Sequence, residues 1–440
     1  MDWLFSDSQS RYYRPKTVQE LVQFISKKKG PFSIAGQQYS SGGQTLTQNG
    51  SIISLQHLPD TFQMSPCHTQ YWVSAGQTWY QVLKHLLPFQ KVPLAMQSYY
   101  SFSVGGSISV NAHGRNGKRL SDSCLKMEVL LMNGEIIKCS PQKYSDLYFS
   151  VLGGYGCIGI ILRAKLKCVD NIPIVCRVFK TSQKNSSLLK ILKTQPLLYN
   201  TELNSEGKLI HICWYPATEI SCDCELSEQK ELSESATPVH HALARFGQTL
   251  LELFPLNIPI YQNYRWNNND GKTCYLSYEM AEDASKLVPL TGSTLIKSLL
   301  QEYFIPFEKL FEFCDFLLTQ FDAYSSVQLI NLSIRTCQST TNGGYLDWLE
   351  NIPSQRMAVV VYCSVIETFI SDIWQDYHEL THSLIQKSWQ MGGTWYLPYV
   401  PEWTKSDLAE GYPQLNQFLL AKRKYDPEEK LDSQFWRRIK

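Results

Sequence analysis

The sequence predicts an α+β fold built from more than one unit, and three observations carry that prediction. At 440 residues the chain exceeds what one hydrophobic core usually serves. Its first 170 residues alternate short strand-like and helix-like segments separated by glycine clusters. From about 171 to 395 the pattern changes to longer strands and amphipathic helices with few glycines, and the tail returns to dense motif character at GGTWYLPY (392–399). These changes divide the chain into 11–170, which carries the glycine-rich turns, a central cap at 171–391, and a C-terminal segment, 392–440, that returns to the first region.

Within the first region, VQELVQFISKKKG (18–30) has helical periodicity and closes on a glycine, as a helix C-terminus does. PFSIAG (31–36) reads as a short strand entering the turn GQQYSSGGQ (36–44). SIISLQHL (51–58) and YWVSAG (71–76) read as strands, and TWYQVLKHLLPF (78–89) as an amphipathic helix. A second small-residue turn follows at 103–117, SVGGSISVNAHGRNG. LKMEVLLMNGEIIKCS (125–140) is a hairpin, because Asn133-Gly134 stands between two alternating apolar runs. The polar stretch 221–238 is a surface loop, and no internal repeat is visible.

Composition excludes several function classes. Lys+Arg 41 against Asp+Glu 40 leaves no electrostatic footprint for nucleic acid or an anionic membrane. The thirteen cysteines are scattered, and several sit in apolar runs, such as Cys213 in LIHICWY and Cys363 in VVVYCSVI. That is how free buried thiols occur, so a reducing compartment is expected. The N-terminus lacks a basic region followed by an apolar stretch, and nothing reaches the ~18 consecutive apolar residues of a membrane span. The expectation is a cytoplasmic protein.

Four motifs invite misreading. Gly154-x-Gly156-x-x-Gly159 satisfies the dinucleotide fingerprint, which works only when a helix N-terminus follows to hold the pyrophosphate. Here IILRAKLKCV follows and reads as a strand. His378-Glu379-x-x-His382 satisfies the zinc-peptidase motif on a plausible helix, with Glu402 as an available third ligand; the bland reading is a solvated helix face. Cys222-Asp223-Cys224 and His240-His241 lack metal-site or redox spacing.

Two small-residue turns remain. Gly36, Ser40, Ser41, Gly42 and Gly43 lie in one, and Ser103, Gly105, Gly106, Ser107 and Ser109 in the other. Glycines let backbone N–H groups converge on an anion in a concave nest, so one reading is a diphosphate wrapped from two sides. The other is a pair of tight structural turns.

The order of these pieces resembles the vanillyl-alcohol-oxidase superfamily of FAD enzymes, whose flavin domain is of the p-cresol-methylhydroxylase (PCMH) type. The matching segments are RPKTVQELVQFI, GQQYSSGG, SVGGSISVNAHGRN, the NGEI hairpin, LGGYGCIGII and YPQLNQFLLAKRKYDPEEKLDSQFWRRI, over about 14–170 and 385–439. The sequence is most similar to the sugar-oxidising members, namely aldonolactone oxidases, alditol oxidases and decaprenylphosphoryl-ribose oxidase. EYFIPFEKLFEF (302–313) and NLSIR (331–335) resemble their cap more weakly. The resemblance implies a two-subdomain FAD-binding domain at 11–170 and a cap with an antiparallel sheet flanked by helices. It implies FAD held by Gly36, Gln37, Gln38, Tyr39, Ser40, Ser41 and Gly42 at the diphosphate. Ser103, Gly105, Gly106, Ser109, Ala112 and His113 would serve the diphosphate and isoalloxazine edge, and Gly153, Gly156 and Ile158 the remaining contacts.

Departures from the family pattern sharpen these expectations. Gln38-Tyr39-Ser40 replaces the family's flavin-linking Gly-His-Ser, and no cysteine lies between Leu94 and Asp122, so the FAD is expected to be non-covalent. His113 falls where the sugar oxidisers keep a histidine beside the flavin: it either accepts a proton near neutrality or merely caps a turn. Arg335 matches the arginine of a Glu-x-Arg element that polarises substrate oxygen, but Ser333 replaces the glutamate, which leaves a cap-strand salt bridge as the equal reading. Tyr399 takes the place of a family lysine and supplies no positive charge.

The expected reaction is hydride transfer from a CH–OH group of an alcohol or sugar substrate to flavin, the hydroxyl proton passing to His113, Tyr399 or water. Oxygen, a quinone or a protein then accepts the electrons, and Ala112 leans towards a dehydrogenase. The competing readings are a zinc metallopeptidase and a flavin-fold binding protein without turnover; no resident metal is expected.

Overall fold

The structure, a computed structural model, describes residues 10–181, 184–203, 208–217, 269–280, 296–337, 342–349, 355–366 and 373–440. The 221–238 loop, Cys222, Cys224, His240 and His241 lie outside them. Helices and sheets are mixed throughout, as an α+β chain requires.

The described strands form three sheets. Strands β1 (Arg11–Tyr13), β2 (Phe32–Ala35) and β3 (Ser51–Ser54) make a parallel sheet in the order β1-β3-β2. Then come β4 (Phe62–Met64), β5 (Gln70–Ser74), β6 (Lys91–Pro93), β7 (Cys124–Leu130), β8 (Ile136–Cys139) and β9 (Ile160–Asp170). They form an antiparallel sheet ordered β4-β5-β9-β7-β8, with β6 also on β9. The third is an eight-stranded antiparallel sheet of β10 (Pro173–Thr181), β11 (Leu198–Leu203), β12 (Leu209–Pro216), β13 (Thr273–Tyr275), β14 (Ile296–Pro306), β15 (Val327–Cys337), β16 (Arg356–Ile366) and β17 (Thr394–Trp395). Its order is β13-β10-β12-β11-β15-β16-β14-β17.

Local sequence explains most elements. Strand β9 follows the apparent dinucleotide fingerprint, so no helix N-terminus stands there. The hairpin of β7 and β8 turns through Asn133 and Gly134, the latter at φ +90°. The helix Trp79–Leu86 starts on a Thr78–Gln81 capping box and buries Trp79, Val82, Leu83 and Leu86 on one face. Leu21 and Ile25 of the helix Val18–Lys27 pack with Phe32, Ile53, Leu130, Ile160 and Leu431, joining the parallel sheet to the six-stranded one.

Three local expectations change. The first helix stops at Lys27 with Lys28 already extended, so Gly30, at φ +84°, shapes the loop beyond rather than the cap. The strand expected over 51–58 ends at Ser54 and passes into a short 3-10 turn, Leu55–His57. Most consequential, 103–117 is not simply a turn: Val104–Ser109 is a short helix, N-capped by the Ser103 side chain on Gly106 N–H. Glycine weakens a helix by ~1 kcal/mol per residue against alanine. Gly105 is needed all the same, because a Cβ there would lie 2.9 Å from Ala75 Cβ.

The eleven cysteines among the described residues are all free, ten buried and Cys67 exposed. No described helix is long and apolar enough to cross a membrane.

Candidate active site

A cleft runs between the two glycine-rich segments and the eight-stranded sheet. Side chains alternate across a strand, so β14 faces two ways. Ser298, Leu300 and Glu302 line the cleft, while Gln301 bonds Tyr377 of the helix Ile373–Gln390 and Tyr303 packs on Phe313. Val360 and Tyr362 stand opposite Glu302 and Leu300 on β16, and Arg335 of β15 joins them.

Of the residues expected at the cofactor, Gly36, Gln37, Gln38, Tyr39, Ser40, Ser41, Ser103, Gly105, Gly106, Ser109, His113 and Gly156 line this cleft, with Arg335 and Tyr399. Four others do not. Gly42 donates its N–H to Gln44, and a Cβ there would sit 2.8 Å from Tyr399 O. Ala112 is buried and bonds Ser107 O, Gly153 bonds Ile108 O at φ +67°, and Ile158 belongs to the hydrophobic core.

The expectation of a nest on both sides also needs correction. Val104 N–H donates to Gln77 O, Gly105 N–H to Ala75 O and Gly106 N–H to the Ser103 hydroxyl, so that segment has spent its first donors on the protein. Only the 36–43 side keeps donors: the N–H groups of residues 37–40 have no protein partner among the described residues. Gly36 serves the close approach of the two segments, since a Cβ on it would lie 2.1 Å from Ser103 Oγ.

At the centre, His113 Nε2 lies 2.7 Å from Glu302 Oε1, both side chains almost completely buried. Tyr399 donates its hydroxyl to the other oxygen, Glu302 Oε2, at 3.3 Å. An ionised carboxylate only accepts, so Nε2 is the donor in this contact; Nδ1 has no partner among the described residues. Burial, reinforced by the Glu302 charge, holds the Tyr399 phenol well above its ordinary range, so it is a donor and not a base. For Arg335, burial works against its charge, but facing Tyr362 and Glu302 outweighs this and the guanidinium is held as a cation.

Aromatic rings fix the imidazole. Trp348 stacks on Phe304 with centroids 3.8 Å apart, and their rings meet His113 edgewise at 5.3 and 5.8 Å. Trp348 arrives on 342–349, which is pinned to the first region by the buried Arg119–Asp347 ion pair and by Asn111 on Gly343 O.

Sequence reading missed Glu302. Its signal was a lone carboxylate inside the apolar strand SLLQEYFIP, a residue type that is seldom buried without a partner.

The His-Glu-x-x-His segment does lie on a helix, but its side chains disperse. His378 pairs with Glu402 at 2.5 Å and His382 with Asp407 at 3.0 Å, while Glu379 bonds Tyr324 and Gln375. Among the described residues no group of three metal-ligating side chains could hold an ion.

Buried polar atoms are normally bonded, so orphans call for a ligand or water. Ser40 Oγ, Tyr155 OH, His113 Nδ1 and Arg335 Nε are all shielded from solvent without a protein partner among the described residues, and all four residues line this one cleft. With the free N–H groups of 37–40, they suit an extended ligand bearing both phosphate and ring polar atoms.

Comparison with known proteins agrees. Residues 13–140 match the FAD binding domain family. Cytokinin dehydrogenase 7 of Oryza sativa subsp. japonica is 30% identical over 203 residues, 44% of this chain and 38% of that one. Cytokinin dehydrogenase 2 of Arabidopsis thaliana is 31% identical over 169 residues, 37% of this chain and 33% of its own. The matches thus span between a third and two fifths of these relatives' length. Residues 13–140 are an FAD-binding domain. FAD is the cofactor.

Proposed function

We propose that the protein is an FAD-dependent oxidoreductase that takes a hydride from the carbon and a proton from the hydroxyl of a CH–OH group on a sugar-like or other alcohol, with FAD held non-covalently. The observation that carries this reading is the buried His113–Glu302 pair, set in the same cleft as the donors of 37–40.

Residues 37–40 would hold the diphosphate, with Gly105, Gly106, Tyr155 and Gly156 along the remaining length. When bound, FAD supplies the two-electron acceptor for the hydride. Glu302 holds the imidazole in the tautomer whose Nδ1 accepts the substrate proton, and its charge stabilises the imidazolium that forms. Tyr399 keeps Glu302 in place as a neutral donor. Arg335 offers a fixed positive charge to the substrate oxygen as negative charge grows on it. Trp348, Phe304 and Tyr396 crowd the imidazole and keep water from it.

The relatives favour a second reading, in which the donor is a cytokinin and the proton leaves nitrogen. His113 would serve either donor. Anaerobic mixing with sugars, other alcohols and cytokinins, while following the bleaching of flavin absorbance, tests both. Bleaching by alcohols alone supports the first reading, bleaching by cytokinins alone the second, and no bleaching by any donor defeats both in favour of a binding protein.

A further inference from the structure

The C-terminal segment holds a fully buried lysine with no part in the chemistry above. Lys422, on the helix Leu415–Tyr425, donates to Cys157 O at 2.7 Å, to Asp426 Oδ2 at 2.6 Å and to Leu431 O at 2.7 Å. Its ammonium also lies 4.9 Å from the centre of the Trp436 ring. All three N–H bonds are used: one on the C-cap of its own helix, one on Leu431 just beyond it, and one on the distant 153–159 loop. Burying such a pair seldom adds net stability over apolar packing, so its geometry is the feature to explain.

Two of those acceptors, Cys157 O and Leu431 O, lie behind segments that wall the cleft. Cys157 O sits in the 153–159 loop, whose Tyr155 and Gly156 line the cleft, and the Tyr155 ring packs on Phe435 at 4.6 Å. Leu431 forms a bridge with Phe32, the residue that opens β2 and leads into the 36–43 turn. The same segment reaches that turn again, through Phe435 N–H on Gly43 O and Gln434 N–H on Leu46 O.

We propose that Lys422 is a positioning residue for FAD: it ties the 153–159 loop to the segment that braces the 36–43 turn, and so sets the spacing of the cofactor's two walls. It acts through Cys157 O and touches neither cofactor nor substrate.

The test measures the FAD dissociation constant of apoprotein by fluorescence quenching, for the wild type, Lys422→Met, and Lys422→Met with Asp426→Asn. The double variant removes the stranded Asp426 charge but leaves Cys157 O without its donor. Its far-UV circular dichroism should match the wild type while FAD binds at least about tenfold more weakly. Wild-type FAD affinity in a folded double variant overturns the proposal. Should neither variant fold, hydrogen exchange on the wild type decides. Added FAD protecting 418–431 along with 153–159 supports the coupling, and protection of 153–159 alone overturns it. Failure of the oxidoreductase reading would appear as absent flavin bleaching and would leave these binding readouts unchanged.

Discussion

His113 Nε2 and Glu302 Oε1 meet at 2.7 Å across 189 residues of chain, with both side chains almost completely buried. One residue follows the helix Val104–Ser109 and the other sits on β14, so the pair exists only where the glycine-rich region and the eight-stranded sheet face each other.

If this pair orients and activates the base, His113→Ala should keep bound FAD while substrate-driven flavin reduction slows by ~10²-fold or more. Glu302→Gln should slow it too, and the double variant should be little worse than the slower single one, because the residues act as a unit. Stopped-flow bleaching checks this, and additive losses would separate the roles.

Tyr399→Phe should be mild. The phenol is held well above its ordinary range by burial and by Glu302, so it stays protonated through neutral pH and only one hydrogen bond to the carboxylate is lost. Flavin reduction should fall by about tenfold or less, with the pH profile from 6 to 9 unchanged in shape. A limb that disappeared in the variant would make Tyr399 the titrating group.

Gly36→Ala places a methyl 2.1 Å from Ser103 Oγ, which must swing away from the Gly106 N–H it caps. The melting temperature and FAD affinity should both fall, the lost cap alone costing about 1 kcal/mol. Adding Ser103→Ala removes the nearest clashing atom and should recover part of the affinity, although Ser103 Cβ would remain 3.2 Å away.

His211 should make the fold acid-sensitive. It is fully buried, with Nδ1 2.8 Å from Thr201 Oγ1, and burial lowers its pKa to about 4 from 6.5. Between those values the unfolded chain takes up a proton that the folded chain refuses, so stability is intact above pH 6.5 and declines as pH falls towards 4. His211→Gln should flatten the fall in melting temperature over that window; an identical slope would clear His211.

Acid precipitation should release the flavin to the supernatant, because Gln38-Tyr39-Ser40 offers no histidine for a covalent link. A chelator should leave flavin reduction unchanged, since His378 and His382 are each occupied by a separate carboxylate. Flavin in the pellet would reveal a covalent link.

Much of this was legible along the chain. Asn133-Gly134 between alternating runs specified the β7–β8 hairpin, and the β-branched start and alternation of IILRAKLKCV pointed to a strand where a dinucleotide site needs a helix. The helix carrying His378 and His382, the buried cysteines and the glycine-rich segments that line the cleft were readable for the same reason: short-range periodicity and turn chemistry are local properties.

Residues 103–109 show where that legibility ends. Serine and glycine there favour a turn, yet the carbonyls of Ala75 and Gln77 complete a helix start and take the very donors an anion would have needed. Glu302 carries no mark of its partners along the chain: register against β16 turns it towards the cleft, where Tyr399 and His113 close on its two oxygens. The sequence by itself therefore determined most of the elements, each written in a run of neighbouring residues, and implied the cofactor class through the order of motifs that resembles a known family. Which carboxylate meets which imidazole, and which wall of the cleft keeps free N–H groups, was decided by sheet register and by packing between distant segments, because a buried polar group takes whatever partner the folded chain brings within hydrogen-bond reach.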